Sequence, residues 1–134
     1  DAQESRGLGD VYKRQADWRV ANVSAQKLKK NAAGDAPSLA FEQNADILAA
    51  VAALEHAPYC VGFAAESENL LEYGEAKRKK KNIPLLVGNI GHQTFGQDQN
   101  ELVLFDDKGH TALPLADKQQ LARQLVHEIA RRLP

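Results

Sequence analysis

The 134-residue sequence has no methionine and a single cysteine, Cys60. One thiol cannot close an internal disulfide or furnish a cysteine-rich zinc site. Long apolar runs are missing as well; none approaches the roughly 20 residues that a membrane-spanning helix needs. No charged-then-apolar secretory signal is expected before the fold. Neither sign of charge is in excess: 17 Lys+Arg stand against 18 Asp+Glu, a net charge of -1. No global field therefore draws the chain to nucleic acid or to an anionic membrane. Aromatic residues make up only 6% of the chain and do not interleave the basic runs, which removes the stacking partners that nucleic-acid binding uses. There is no Gly-x-Ser-x-Gly, Walker loop or Gly-x-Gly-x-x-Gly. His56, His92, His110 and His127 are scattered, without metal-ligand spacing, and read as surface residues. No metal cage is expected.

What is present is an ordinary globular composition, 43% hydrophobic and 26% charged, which argues against wholesale disorder. Residues 1–15 stand apart. Two glycines and scattered charges with no period read as a ragged terminus, and the segment looks like a translated sequencing-adapter peptide. It is expected to be foreign to the fold. Leu39 to Glu42 alternates like a short strand. Asn44 is a suitable N-cap for an amphipathic helix running to about Glu55, with Ile47, Leu48, Val51 and Leu54 at helical spacing. Tyr59 to Ala65 is a nearly uninterrupted apolar run, as in a strand buried on both faces.

Ser67 is placed to cap the next helix, whose acidic residues fall early and whose lysines fall late, complementing the dipole. Ile83 to Val87 is a second buried strand, closed by Gly88. Gly91 to Asn100 is polar and glycine-bearing, hence a long loop. Glu101 to Phe105 and Thr111 to Leu115 flank Asp106 to Gly109 as a hairpin with a longer turn. Asp117, with Gln120 three residues on, opens a last helix with Leu121, Leu125, Val126, Ile129 and Leu133 along one face. Alternating buried strands and amphipathic helices predict an α/β fold: a Rossmann-like, mostly parallel sheet with flanking helices and a β-hairpin. With only three parallel strands, the sheet is expected to be truncated at its N-terminal side.

Several residues could carry chemistry. Lys77 to Lys81 is the densest charge cluster, and Lys77 and Lys81 are i,i+4 neighbours on one helix face, suited to a polyphosphate. A solvated helix end is the plainer alternative. Lys27-Leu28-Lys29-Lys30 is a second basic cluster; a lysine there could offset charge developing in acyl or phosphoryl transfer, or simply face water. Asn44 to Ile47 opens a helix whose free N–H groups suit an anion, and Asp46 suits ordinary capping equally well. Gly62 to Glu66 lies at the carboxyl end of a parallel strand, where open α/β sheets bind ligands. Gly62 would admit a close approach. Phe63 could stack on a base or belong to the core. Asn89 reaches the same sheet edge or serves a turn. Cys60 reads as a buried thiol.

Taken in order, Ala16-Asp17-Trp18-Arg19, Lys27-Leu28-Lys29-Lys30, Asn44 to Leu48, Val61 to Glu66, Ala76 to Lys81, Gly88-Asn89 and Phe95 to Glu101 closely resemble the C-terminal part of bacterial phosphopantothenoylcysteine synthetase. The resemblance covers residues 16 to about 133. It implies a ligase of coenzyme A biosynthesis that uses CTP and Mg²⁺. The family joins 4'-phosphopantothenate to cysteine through an acyl-cytidylate, releasing pyrophosphate and then CMP. It further implies a cytoplasmic homodimer, commonly the second half of a bifunctional protein whose FMN-dependent decarboxylase half is absent here.

Carried onto this sequence, Asp17 resembles a contact to the cytidine side of CTP, and Lys27 the essential lysine of activation. Ala45, Asp46, Ile47 and Leu48 resemble the helix start that holds the nucleotide. Phe63 resembles the strand-end aromatic, and Lys77 and Lys81 the two triphosphate lysines. Asn89 resembles a substrate contact, although Gly88-Asn89-Ile90 departs from the commoner Ala-Asn-Asp. Trp18 replaces a commoner Tyr, and Ala45 a frequent Pro. The family's glycine-rich nucleotide loop, its Asn-x-Ser-Ser-Gly motif and the Asn of its cysteine step have no counterpart in this sequence. The expectation is the C-terminal portion of a ligase domain over 16–134, inactive on its own. The alternatives are a non-catalytic nucleotide-binding or dimerisation module and, opposed by the charge balance, a nucleic-acid binder.

Overall fold

The structure, a computed structural model, describes residues 15–66, 68–90 and 99–134. Residues 1–14, the Ser67 cap and the loop expected from Gly91 as far as Asp98 lie outside the described residues. The chain divides into two compact units between Ile47 and Leu48.

The first unit is built on a two-stranded antiparallel ribbon, β1 (Trp18–Val20) and β2 (Phe41–Gln43), in the register Trp18↔Gln43 and Val20↔Phe41. The strand expected near Leu39 to Glu42 therefore exists, but its partner is β1 and not a parallel sheet. The segment between them carries no regular element and is exposed almost throughout.

The second unit carries the core. Helix α1 (Ile47–Ala52) leads into strand β3 (Val61–Glu66), helix α2 (Leu70–Lys81) and strand β4 (Leu85–Ile90). Then follow β5 (Gln99–Asn100), β6 (Val103–Asp106), β7 (Gly109–Ala112), β8 (Ala116–Asp117) and helix α3 (Lys118–Arg132). The four-stranded sheet has the order β3-β4-β6-β7. Only β3 and β4 are parallel; β4·β6 and β6·β7 are antiparallel. The α/β class stands, and among the described residues the sheet is mixed rather than mostly parallel. The tight β6–β7 hairpin is what turns the strand direction.

The apolar runs explain the layers. Side chains alternate across a strand, so β4 sends Leu85 and Val87 to one face and Leu86 to the other, all 1% exposed or less. The first face packs with Leu104, Leu113, Ala116, Leu121 and Leu125, beneath α3. The second packs with Cys60, Leu70, Ile83, Val103 and Phe105, beneath α1 and α2. The Cys60 thiol is buried, as expected, and its Sγ lies 3.4 Å from the Pro58 carbonyl oxygen.

Several boundaries differ from the sequence reading. β4 runs through Gly88 to Ile90; a Cβ on Gly88 would lie 2.7 Å from Leu70 Cδ1, so that glycine admits α2 rather than ending the strand. Gly62 likewise makes room for Ile83, at 2.6 Å, and not for a ligand. α1 is six residues long, shorter than expected, and relaxes through a final turn at Ala53 and Leu54. α2 begins at Leu70, with Asn69 in left-handed geometry before it. The hairpin turn is a tight one: Asp106 pairs with Gly109, and the Lys108 N–H donates to Asp106 Oδ1 at 2.9 Å. Gln99–Asn100, expected as loop, pairs with Ala116–Asp117. α3 matches its cap: Asp117 Oδ1 accepts from the Gln120 N–H at 2.8 Å. Val126 and Leu133, however, are 65% and 50% exposed, off the buried stripe.

Candidate functional site at the parallel strand ends

β3 and β4 run in parallel with Ala65 opposite Asn89 and Glu66 opposite Ile90, so both strands end at one edge. That edge is where an open α/β sheet presents its loops to ligands. α2 starts just beyond it and runs back along the sheet. Helical side chains lean toward the N-terminus of their own helix. Lys77, two turns into α2, is thereby carried back to the edge, where its Nζ donates to Glu66 Oε1. The Lys77 side chain is 47% exposed and that of Glu66 only 16%. Asn89, half-buried in β4, sits at the same edge. It belongs to the strand rather than to a turn.

The rest of the basic run divides by its contacts. Arg78 Nε and Nη2 donate to the two carboxylate oxygens of Glu75 at 3.1 and 3.0 Å, and Nη1 donates to the Ile83 carbonyl at 3.2 Å. Lys79 also faces Glu75, at 3.6 Å. The Arg78 hydrogen bonds hold the Glu75 carboxyl below its usual range and the guanidinium correspondingly higher. These residues close the C-terminal turn of α2. Lys81 lies one turn beyond Lys77, on the same helix face.

Phe63 is exposed, which removes it from the core. Gly62 and Ala64 face the α2 side of the sheet, and Val61 packs on the α3 side. By strand alternation Phe63 therefore projects from the face opposite Glu66. Leu48 packs against the Ile83–Phe105 cluster.

The remaining expected site residues lie in the first unit. Asp17 is exposed, and its carbonyl accepts the Asn44 N–H at 2.8 Å. Asn44 does not cap α1. Its Nδ2 donates to the Ala16 carbonyl at 2.6 Å and its Oδ1 accepts from Arg19 Nη1 at 3.0 Å, so its side chain braces the ribbon instead. Arg19 Nε also donates to Glu42 at 2.7 Å. The Ile47 N–H, which a cap would have taken, donates to Gln15 Oε1 at 3.1 Å, and Gln15 Nε2 donates to the Ala45 carbonyl. Ala45, Asp46 and Ile47 are exposed. Lys27 is exposed and follows a turn in which the Ser24 hydroxyl donates to the Gln26 carbonyl at 2.7 Å. Thus Asp17, Lys27 and Ala45 to Ile47 fall in one unit, and Leu48, Phe63, Lys77, Lys81 and Asn89 in the other.

Sequence reasoning did not single out Glu66 as a site residue. Its signal was available: a lone carboxylate ending the apolar run Val61 to Ala65 at a strand's carboxyl end. Among the described residues no cluster of His, Cys, Asp and Glu could hold a metal ion, and no helix is long and apolar enough to cross a membrane.

The described residues thus form a mixed α/β unit with an ammonium and an amide at its parallel strand ends. Residues 14–133 match the family described as the DNA/pantothenate metabolism flavoprotein C-terminal domain, and the chain belongs to that family. It is similar to the coenzyme A biosynthesis bifunctional protein CoaBC of Haemophilus influenzae, 42% identical over 120 residues, and to that of Escherichia coli K12, 44% identical over 122 residues. In both cases the match covers 87% of this chain and 30% of the relative, so the chain spans about a third of the relatives' length. The crystal structure of a CoaBC C-terminal domain superposes with a TM-score of 0.56 at 28% identity, covering 68% of this chain and 43% of the other. A DNA/pantothenate metabolism flavoprotein from Streptococcus pneumoniae shares the fold, with a TM-score of 0.62 at 15% identity over 77% of this chain and 45% of the other.

Proposed function

We propose that the chain is the C-terminal part of a phosphopantothenate–cysteine ligase that uses CTP. The observation that carries this reading is Lys77 at the carboxyl edge of the parallel pair, with Lys81 one helical turn away. Two ammonium groups on one helix face suit a triphosphate, and the family's relatives act in coenzyme A biosynthesis.

The chemistry explains why such residues are needed. A carboxylate is a poor electrophile. In the proposed reaction an oxygen of the 4'-phosphopantothenate carboxylate attacks the α-phosphorus of CTP, and pyrophosphate leaves. The cysteine amine then attacks the acyl carbon of the acyl-cytidylate, and CMP leaves with the original carboxylate oxygen. The first step brings two anions together, so fixed cations must offset their repulsion. Lys27 is assigned to that charge; Lys77 and Lys81 to the phosphate tail; Phe63 and Asp17 to the cytidine; the Ala45 to Leu48 segment to the nucleotide; and Asn89 to the acid substrate. Mg²⁺ would enter on the triphosphate, since it commonly binds through substrate phosphates and few protein oxygens. FMN belongs to the decarboxylase half of the bifunctional relatives. A cytoplasmic homodimer completes the proposal.

The test is turnover by the full-length gene product with CTP, 4'-phosphopantothenate and cysteine. CMP release that requires both other substrates, and its abolition by Lys27→Gln, supports the ligase. CTP binding without turnover would favour a nucleotide-binding or dimerisation module instead.

A further inference from the structure

We propose that Glu66 is a positioning residue for the nucleotide's phosphate tail, acting by holding the Lys77 ammonium at the strand edge. This rests on the nucleotide reading above. β3 ends with Gly62, Ala64 and Glu66 on the α2 side, so the carboxylate is the first residue beyond the apolar cluster on that face. Lys77 crosses the strand–helix connection to meet it. A lysine stem has four rotatable bonds and loses considerable freedom when its ammonium is fixed. Here the pairing with Glu66 fixes it before any ligand arrives. An ammonium has three donors; one goes to Glu66, and the side chain remains 47% exposed, so a ligand can reach it. The carboxylate is the more buried partner at 16% exposure, so it serves as the anchor and the lysine as the presented group.

The opposite arrangement is physically distinct. If the triphosphate had to strip Lys77 from Glu66, a half-buried carboxylate would be left unpaired, at a cost. Removing its charge would then strengthen binding. Positioning requires that removal to weaken it.

The experiment titrates the full-length gene product, and its Glu66→Gln, Glu66→Asp, Lys77→Gln and Glu66→Gln/Lys77→Gln variants, with CTP, CDP and CMP by calorimetry. In parallel, NMR reads the order parameter of the Lys77 ammonium without ligand. Positioning gives wild-type affinity that falls from CTP to CMP. In Glu66→Gln that dependence flattens, with at least about a threefold loss for CTP and none for CMP, together with a more mobile Lys77 ammonium. The double variant binds CTP no more weakly than Lys77→Gln alone, and Glu66→Asp, keeping the charge, recovers part of the loss. A merely structural Glu66 would lower affinity for all three nucleotides alike. Unchanged or tighter CTP binding by a folded Glu66→Gln chain overturns the positioning role and leaves the nucleotide reading intact. Failure of the wild-type full-length gene product to bind any of the three nucleotides overturns the nucleotide reading, and this proposal with it.

Discussion

A Cβ placed on Gly74 would lie 2.5 Å from Phe105 Cζ. The glycine in the middle of α2 is thus the socket for the largest fully buried side chain of the sheet. Helix and strand approach this closely only because nothing projects from Gly74. Gly74→Ala gains helix propensity worth about 1 kcal/mol, but it forces Phe105 off its rotamer or α2 off the sheet, at about 1–3 kcal/mol. Net destabilisation of up to about 2 kcal/mol is expected, read as a lower urea midpoint. Phe105→Leu should absorb part of that cost, so the double variant should be less destabilised than the sum of the singles.

Arg132 joins α3 to the hairpin, with Nε donating to Asp106 at 3.1 Å and Nη1 paired with Glu128. Arg131 pairs with Glu128 as well, at 2.8 Å. Hydrogen bonds from Arg131 and then Arg132 hold the Glu128 carboxyl at about 2, against an ordinary 4.5. A carboxyl lowered on folding contributes stability above its unfolded value and loses it as pH falls through its folded value. The stability advantage of wild type over Glu128→Gln should therefore be constant above about pH 4.5 and shrink steadily between about pH 4.5 and 2. Urea midpoints across that range test it; an advantage undiminished at pH 2 would contradict the pairing.

The two kinds of basic residue in α2 should separate in mutants. Arg78→Ala removes the Glu75 fork and leaves the Ile83 carbonyl without that donor. It should cost about 1–2 kcal/mol of stability and spare CTP affinity. Lys77→Ala should do the reverse, lowering CTP affinity with little change in the thermal midpoint. Paired calorimetry and melting curves on both variants provide the check.

Asn82 ends α2 in left-handed geometry, φ 52°, with its N–H donating to Lys79 O at 3.1 Å and the Ile83 N–H donating to Arg78 O at 3.3 Å. Glycine adopts that conformation without strain. Asn82→Gly should leave stability unchanged or raise it by a few tenths of a kcal/mol, and Asn82→Val should lower it by about 1 kcal/mol or more. Thermal melting distinguishes the two.

The legible parts of the fold were those whose burial the sequence states directly. β4 shows as Ile83 to Val87 because both its faces are covered, and α3 shows through its Asp117 cap and its Leu121, Leu125 and Ile129 stripe. The missed parts depend on contacts distant in sequence. Gly88 reads as a strand end until Leu70 is known to lie over it. Asn44 reads as a cap until Arg19 and Ala16 are known to take its side chain. β1, β5 and β8, of two or three residues each, are too short for alternation to show. For the site, the Lys77–Lys81 spacing gave the helix face directly. Which of its neighbours serve structure emerged only with the Glu75 and Ile83 contacts, and Glu66 emerged as a partner only once β3 and α2 were placed side by side.

The proposed acyl-cytidylate is tested most directly by oxygen transfer in the full-length gene product. 4'-Phosphopantothenate labelled with ¹⁸O in its carboxylate is turned over with CTP and cysteine, and the phosphorus products are analysed by mass spectrometry. The expected result is one ¹⁸O in CMP and none in pyrophosphate. Label in inorganic phosphate, with CDP as the other product, would contradict it and assign the enzyme an acyl-phosphate route.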